Sequence, residues 1–280
     1  MEVPMMLSGK TLVLGIGAQR CGTTWLHDYL SRNPSVYTSP LKEFHFFDTH
    51  FGVLNRQNWE LLFANRLARQ IHRSGSENGL VDALRERLRM HAEPEKYLKY
   101  FPERSGERQF ICEITPSYSL LDADQFRWVK DFIASSGARL KIVFLMRDPV
   151  DRFRSQVQRH AKRTGTPIDY RRSLSNTQIV SRTRYDRTLE NARAVFGEDK
   201  IIIGFYENVF SQPDKYLRMI TDKIGIEYCV PNIKKKINAS PPDAQSLEDE
   251  DIRAALSVFA PVYDYVNREF PDLKPASWRA

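Results

Sequence analysis

Thr11 to Leu30, TLVLGIGAQRCGTTWLHDYL, decides the fold of this chain. Its first seven residues form an apolar run that ends in glycine, which is typical of a strand buried in a parallel sheet. The turn GAQRCG follows, and Thr23 to Leu30 has the composition of a helix that stops near Asn33-Pro34. We therefore expect a strand, a glycine-containing loop and a helix, the unit from which parallel α/β sheets are built.

The loop between this strand and helix has the features of an anion-binding site. Gly17 is followed by four residues and then by Gly22-Thr23-Thr24, a spacing close to that of the phosphate-binding P-loop. Glycines let several backbone N–H groups converge on an anion at a helix N-terminus. The P-loop lysine that follows the second glycine is replaced by Thr23, and the cation is Arg20, inside the loop. The loop therefore suits a 5′-phosphate that carries another group better than hydrolysis of a nucleoside triphosphate; a simple tight turn is the alternative.

A second candidate anion site follows Leu140 to Met146 (LKIVFLM), the clearest buried strand in the sequence. Arg147 stands directly after it, at the carboxyl end where open α/β sheets bind ligands. Asp148-Pro149 then supplies an N-cap and a first-turn proline for a helix that reaches about His160.

The face of that helix opposite its apolar stripe carries the polar groups. Ser155 is predicted to lie there, with Arg152 and Arg159 beside it. A guanidinium and a hydroxyl together suit a dianionic phosphate. A solvated helix face is the alternative interpretation. The apolar stripe itself consists of Val150, Phe153 and Val157.

Both segments resemble motifs of one enzyme family. QRCGTTWL, Gln19 to Leu26, looks like the 5′-phosphosulfate loop of the sulfotransferases that use 3′-phosphoadenosine 5′-phosphosulfate (PAPS), with Arg20 where the family usually has lysine. Arg147 and Ser155, eight residues apart, resemble its 3′-phosphate motif. A basic segment near the C-terminus resembles its cofactor loop more weakly. The resemblance implies PAPS as co-substrate, bound by Arg20, Cys21, Gly22, Thr23, Thr24, Trp25, Arg147 and Ser155, and more weakly by Lys236 and Asn238.

The segment SPLKEFHFFD, Ser39 to Asp48, resembles the Glu-x-His-Phe-Phe segment of heparan-type and bacterial carbohydrate sulfotransferases. The resemblance implies that Glu43 is the general base toward the acceptor hydroxyl. In an extended segment Glu43 and His45 point the same way, and the intervening phenylalanines point the other way. His45 therefore remains an alternative base, and a surface ion pair with a core histidine is the purely structural interpretation.

One departure from the family pattern concerns a cation. EITPSY, Glu113 to Tyr118, resembles the family's Glu-Lys-(Ser/Thr)-Pro-x-Tyr segment, but Ile114 stands where heparan-type relatives have a lysine. The resemblance therefore supplies no second cation near the transferred group. Lys42 is one candidate to replace it.

The rest of the chain predicts a single α/β domain, residues 1–280, with a central parallel sheet flanked by helices, and the resemblance implies the P-loop-like sulfotransferase fold. Strands and helices alternate in the sequence. A helical insertion over about 55–100 and an irregular, mobile loop over about 163–182 are expected to form the acceptor cleft. The last helix is expected to kink or split at Pro261. The further strands predicted are Val36 to Thr38, Gln109 to Ile114 and Lys200 to Phe205; the further helices are Gln57 to His72, Leu80 to His91, Asp124 to Ser135, Thr183 to Phe196, Pro213 to Ile224 and Ile252 to Phe270.

Composition narrows the choice of partner. The 42 basic residues against 35 acidic ones give a net charge of +7, which suits an anionic ligand. Nothing matches a nucleic-acid-binding signature, and the six histidines show no metal-ligand spacing, so we expect neither nucleic acid nor a metal. With three widely spaced cysteines, no apolar span and no signal peptide in residues 1–8, we expect a cytoplasmic protein without stable membrane insertion.

The resemblance thus implies sulfuryl transfer from PAPS to a hydroxyl of a small-molecule or carbohydrate acceptor, an acidic sugar or glycolipid being favoured by the arginines of the two acceptor segments. A kinase-like or NTPase-like P-loop enzyme is one alternative. A catalytically inactive module that binds a nucleotide or polyanion is the other. The sequence predicts neither the acceptor nor the oligomeric state.

Overall fold

The computed structural model describes residues 6–232 and 247–279. A five-stranded sheet in the order β2-β3-β1-β4-β5 runs through it, and all neighbouring strands are parallel. The sheet confirms the predicted α/β class. Its strands are β1 (Thr11–Gly17), β2 (Val36–Thr38), β3 (Phe110–Ile114), β4 (Arg139–Met146) and β5 (Ile201–Phe205).

Helices cover both faces of this sheet and fill the insertion between β2 and β3. Two short 3₁₀ helices span Pro116–Leu120 and Glu198–Lys200. The α-helices of the described residues are α1 (Thr23–Leu30), α2 (Phe47–His50), α3 (Arg56–Ser74), α4 (Gly79–Arg89), α5 (Glu95–Tyr100), α6 (Pro102–Ser105), α7 (Ala123–Ala134), α8 (Pro149–Thr164), α9 (Tyr170–Ser173), α10 (Thr177–Ser181), α11 (Tyr185–Phe196), α12 (Tyr206–Ser211), α13 (Pro213–Ile224) and α14 (Asp249–Glu269).

The order of the strands places the candidate motifs side by side. β1 lies at the centre of the sheet, paired with β3 on one side and with β4 on the other. The direction in which successive strands are added to the sheet therefore reverses at β1, with β2 and β3 on one side of it and β4 and β5 on the other. Ligands of open α/β sheets bind at such a switch point, outside the carboxyl ends of the strands. The loop after β1 and Arg147 after β4 therefore open at the same edge of the sheet.

The region predicted as an irregular loop, 163–182, contains more structure than expected. Helix α8 continues to Thr164 and ends at Gly165, and two short helices follow. Asp169 caps α9 by accepting from Arg172 N, and Asn176 caps α10 in the same way. The prediction missed these turns because such short helices carry no apolar period, although their capping residues are visible in the sequence.

Helix α14 does not split at Pro261, which lies inside one helix from Asp249 to Glu269. A proline removes one backbone N–H donor, so a single intrahelical bond is lost. Phe259 and Val262 are fully buried on either side of it. Their burial offsets the local cost and keeps both halves in one helix.

Candidate active site

The loop after β1 presents free backbone amides at the start of α1. Gly22 is the N-cap, with φ at 83°, and no side chain caps this helix. A Cβ atom there would lie 3.1 Å from the ring of Tyr206, so the position needs glycine for both conformation and space. The first-turn N–H groups of α1 have no partner within the helix and are available to an anion.

Arg20 connects the two predicted anion motifs. Its Nε donates a hydrogen bond to Ser155 Oγ at 3.0 Å, across 135 positions of sequence. Arg20 also adopts a φ of 72°, a left-handed conformation that is costly for arginine and is concentrated at functional sites. The structure therefore brings Arg20 and Ser155 together at one point.

Four guanidinium groups converge around this contact, and Glu207 lies within electrostatic range of Arg147 without forming an ion pair with it. Burial lowers the pKa of Arg20, and the charges of Arg159, Arg147 and Arg152 lower it further. None of the four forms an ion pair with a residue that the structure describes. Arg147 stacks over the Tyr206 ring at 4.7 Å, and its buried Nε has no hydrogen-bond partner there. Such unpaired charge fits an anion with more than one phosphate.

Arg152 is buried, so the alternative interpretation of a solvated helix face does not apply to it. Its side chain is fully buried and donates to Gln19 O at 3.1 Å, Ile179 O at 2.8 Å and Thr183 Oγ1 at 2.5 Å. The wide apolar stripe of α8 did not reveal that this arginine turns inward. The hydrogen bonds of Arg152 hold the segment around α10 against the phosphate loop.

Two of the remaining loop residues, Cys21 and Trp25, are buried. Cys21 is fully buried near the Tyr185 hydroxyl, and burial raises the pKa of its thiol to about 12. Trp25 is 5% exposed, stacked on Tyr29 and edge-on to Phe210. Of the other predicted cofactor residues, Thr23 is buried and Thr24 is partly exposed, whereas Lys236 and Asn238 lie outside the described residues.

The Glu43 segment is not a strand, although its side chains sort as predicted. Phe44 and Phe46 are buried, and Glu43 Oε2 lies 3.6 Å from His45 Nε2. The backbone achieves this with left-handed conformations at Glu43 (φ 63°) and His45 (φ 49°) instead of an extended segment. Two strained residues in a row of three indicate that the surrounding structure fixes this loop.

Arg87 of helix α4 holds this loop in place. Its side chain is fully buried and donates to Phe44 O, to His45 O at 2.6 Å and to Thr49 Oγ1 at 3.1 Å. Burial lowers its pKa to about 10, so it stays charged at neutral pH. No sequence motif pointed to Arg87, because its partners are mainly backbone carbonyls more than 40 positions away.

Glu43, His45 and Asp48 form a line of carboxylate, imidazole and carboxylate. His45 Nδ1 lies 2.7 Å from Asp48 Oδ2, which also accepts a hydrogen bond from Ser117. Burial lowers the pKa of His45, but the hydrogen bond and charge of Asp48 outweigh it, with Glu43 adding to the rise. Asp48 is fully buried and His45 is 4% exposed. The side chain of Glu43 is 36% exposed, so it alone of the three reaches the surface.

The charge state of Glu43 is controlled by its neighbours. Burial raises its pKa, but His45 and Lys42 outweigh that effect and lower the pKa to about 2. Lys42 is engaged in an ion pair with Glu43. Arg66 of α3 and Arg182 after α10 lie within electrostatic range of Glu43. Each of the two predicted acceptor segments therefore contributes an arginine near this carboxylate.

A cleft of about 490 Å³ opens beside α1. His27 on its wall is within electrostatic range of Lys42 and Glu43. Hydroxyl groups make up much of the remaining lining. The lining residues are Thr24, His27, Asp28, Ser31, Thr38, Ser39 and Pro40.

None of the helices that the structure describes is long and apolar enough to span a membrane. No group of three or more His, Cys, Asp or Glu side chains within residues 6–232 and 247–279 is arranged to hold a metal ion.

A parallel sheet with a cationic site at its switch point is the arrangement in which open α/β proteins bind phosphorylated ligands. A family model described as "Sulfotransferase family" matches residues 13–229, more than half of the chain. The chain therefore belongs to the sulfotransferase family. No curated protein matches it significantly.

Solved sulfotransferases share the fold. A sulfotransferase from Alicyclobacillus acidocaldarius aligns with a TM-score of 0.66 at 18% identity, covering 97% of this chain and 99% of that one. The sulfotransferase domain from the curacin biosynthetic pathway aligns with a TM-score of 0.54 at 13% identity, covering 99% of this chain and 93% of that one. At these identities the likeness concerns the fold alone.

Proposed function

We propose that this sulfotransferase transfers the sulfuryl group of PAPS to a hydroxyl of a carbohydrate or glycolipid acceptor. The hydrogen bond between Arg20 and Ser155 is the observation that carries the proposal. It joins an uncapped helix N-terminus to a second anion motif, and the arginines around it form no ion pair with the described residues. PAPS carries anionic groups at both its 5′ and 3′ ends, which is the charge distribution that this site fits.

The donor roles follow from position. The amides of Gly22, Thr23 and Thr24 and the Arg20 guanidinium hold the 5′-phosphosulfate. Arg147 and Ser155 hold the 3′-phosphate, where the buried, unpartnered Nε of Arg147 gains an acceptor. Binding at both ends fixes the register of the nucleotide at the switch point.

The transfer needs one base and one stabilised leaving group. The acceptor oxygen attacks sulfur and gives its proton to Glu43, while the bond from sulfur to the bridging phosphate oxygen breaks. The negative charge that develops on that oxygen is stabilised by Arg20 and the α1 amides. Positioning and electrostatics supply the catalysis, as in phosphoryl transfer.

Glu43 is the better candidate base because it is accessible. His45 is buried behind it, with Nδ1 engaged by Asp48. A pKa of about 2 keeps Glu43 ionised but makes it a weak base. The anionic donor adds negative charge nearby, which raises the pKa of Glu43 toward its ordinary value.

The acceptor class rests on the cleft beside α1. Its hydroxyl and imidazole groups suit the many hydroxyls of a sugar, and its volume of about 490 Å³ is within the range of small-molecule sites. Arg66, near Glu43, suits an acidic group on the same acceptor. A carbohydrate with an acidic substituent is the acceptor that both features favour.

Calorimetry with 3′-phosphoadenosine 5′-phosphate (PAP), the spent donor, tests the proposal against a kinase-like enzyme. We expect micromolar binding of PAP that needs no Mg²⁺ and is tighter than binding of ATP. Absence of PAP binding, or a preference for ATP with Mg²⁺, would contradict the proposal. An inactive binding module would instead bind PAP and release none from PAPS with any acceptor in a hydroxyl panel.

A further inference from the structure

Arg182, directly after α10, is a buried cation within electrostatic range of the proposed base Glu43. Its residue surface is 9% exposed, and its buried Nη1 has no hydrogen-bond partner within residues 6–232 and 247–279. Leaving a buried guanidinium unsatisfied is costly, so its retention calls for a ligand. The roles proposed above do not use this residue.

The position of Arg182 is fixed relative to the phosphate loop. It follows α10 directly, and Arg152 binds Ile179 O before it and Thr183 Oγ1 after it. The same Arg152 side chain donates to Gln19 O in the phosphate loop. Hydrogen bonds from Arg152 therefore link residues on both sides of Arg182 to the phosphate loop.

The electrostatic neighbours of Arg182 belong to both halves of the site. Its pKa is lowered to about 10, by burial first and by the charge of Arg152 second, against the carboxylates of Asp48 and Glu43, which raise it. Arg66, by contrast, is influenced by Glu43 and by its neighbour Arg69, not by the donor arginines. Arg182 is thus within electrostatic range of the proposed base and of Arg152, which donates to the phosphate loop.

The chemistry of transfer defines what occupies that space. In an in-line attack the sulfur lies between the bridging phosphate oxygen, held by the loop, and the acceptor oxygen, held near Glu43. Ile114 is an apolar side chain 2% exposed, and Lys42 is paired with Glu43, so neither offers a free cation there.

We propose that Arg182 is the second cation of the transfer site and binds the sulfuryl oxygens of PAPS. This inference rests on the proposed function, since it assumes that PAPS is the donor. A guanidinium can donate two parallel hydrogen bonds to adjacent sulfuryl oxygens. Arg182 then supplies the second cation that the apolar side chain of Ile114 cannot supply.

Comparing PAPS with PAP isolates the sulfuryl group, since the two ligands differ only there. The experiment measures the affinities of both for wild type and Arg182→Gln by calorimetry. We expect Arg182→Gln to weaken PAPS binding about tenfold or more and PAP binding by less than about twofold. The matched control is Arg184→Gln in the same segment, because Arg184 already pairs with Asp186; it should change neither affinity.

Three outcomes would overturn the inference. Equal loss of both ligands in Arg182→Gln would make Arg182 a support of the phosphate loop, and loss of neither would remove it from the site. Failure of wild type to bind either nucleotide would instead refute the proposed function, and the inference with it. If thermal melting shows that Arg182→Gln is unfolded, Arg182→Lys serves in its place: it should weaken PAPS about threefold and leave PAP unchanged, since one ammonium replaces a two-pronged donor.

Discussion

At the scale of single residues, Glu43 combines access with controlled charge. Its carboxylate is the exposed end of a line whose other members, His45 and Asp48, are buried. A base must be reachable before its pKa matters. The geometry therefore separates an accessible carboxylate, the proposed base, from two buried residues next to it.

Replacing Glu43 with Gln should remove turnover and preserve the donor site. We expect kcat to fall by about 10²–10⁴-fold, because the proton acceptor is lost. Affinity for PAP should change little, since Glu43 does not hold the nucleotide. Release of PAP from PAPS with an active acceptor, together with calorimetry, checks both statements. Undiminished turnover in Glu43→Gln would exclude Glu43 as the base.

Glu113 provides a pH test of the buried network beneath the Glu43 loop. Burial raises its pKa from 4.5 to about 7, although Thr115 and Phe44 N donate to it. A carboxyl whose folded pKa is raised stabilises the fold below its unfolded pKa, and this contribution is lost as pH rises through the folded pKa. The free energy of unfolding should therefore fall between about pH 5 and pH 8, by roughly 1–3 kcal/mol.

Glu113→Gln is the matching variant, because an amide can keep the acceptor and cannot ionise. Urea unfolding of both proteins at about pH 5 and about pH 8 should show the loss in wild type and a smaller one in Glu113→Gln. Identical pH dependence of the two proteins would show that Glu113 does not titrate in this range.

At the scale of secondary-structure elements, the helical insertion supports the catalytic loop as well as lying near the acceptor. Arg87 of α4 binds two successive carbonyls of the loop, and Trp59 of α3 stacks on His45 with ring centroids 3.6 Å apart. These contacts hold the strained conformations of Glu43 and His45. The insertion therefore positions Glu43, the proposed base.

Arg87→Met tests this positioning. It leaves the carbonyls of Phe44 and His45 without their donor, so we expect a loss of about 2–4 kcal/mol in unfolding free energy. A misplaced base should lower kcat by about 10²-fold while the affinity for PAP stays unchanged. Arg87→Lys should recover part of kcat. A purely structural role would lower stability and leave kcat of the folded fraction unchanged.

The sequence predicts the strands and long helices well and the Glu43 loop poorly. Apolar runs such as LKIVFLM identify buried strands from the local sequence alone. The start of α8 is equally local, since Asp148 is its N-cap and Pro149 its first residue. The loop conformation depends on Arg87, more than 40 positions away, and the inward turn of Arg152 depends on three distant partners. No local period encodes such long-range contacts. The motif resemblance named Glu43, His45, Arg20 and Ser155 as site residues, and their chemical roles stay predictions.

At the scale of the whole molecule, the segment after α14 packs against the edge of the sheet that carries Arg147. Arg279 donates to Asp148 at 2.7 Å, and Trp278 donates to Glu207 at 3.0 Å. Glu207 in turn accepts from Asp148 N at 3.0 Å. The segment after α14 therefore packs against the residues that follow β4.

Trp278→Ala should destabilise the whole fold more than a surface substitution does. The ring is 6% exposed and packs edge-on to Phe205 at 5.3 Å, so we expect a loss of about 3–5 kcal/mol in chemical denaturation. Affinity for PAP should fall as well if the β4 end shifts. A loss below about 1 kcal/mol would show that this segment does not support the fold.

The most direct test of the central claim, that two anion motifs hold opposite ends of one nucleotide, compares PAP with AMP by calorimetry in wild type and Arg147→Ala. These ligands differ by the 3′-phosphate alone. Wild type should bind PAP at least about tenfold more tightly than AMP, a difference of about 1.4 kcal/mol, and Arg147→Ala should lose this preference while its affinity for AMP is unchanged. Equal binding of PAP and AMP by wild type, or equal weakening of both by Arg147→Ala, would contradict the account.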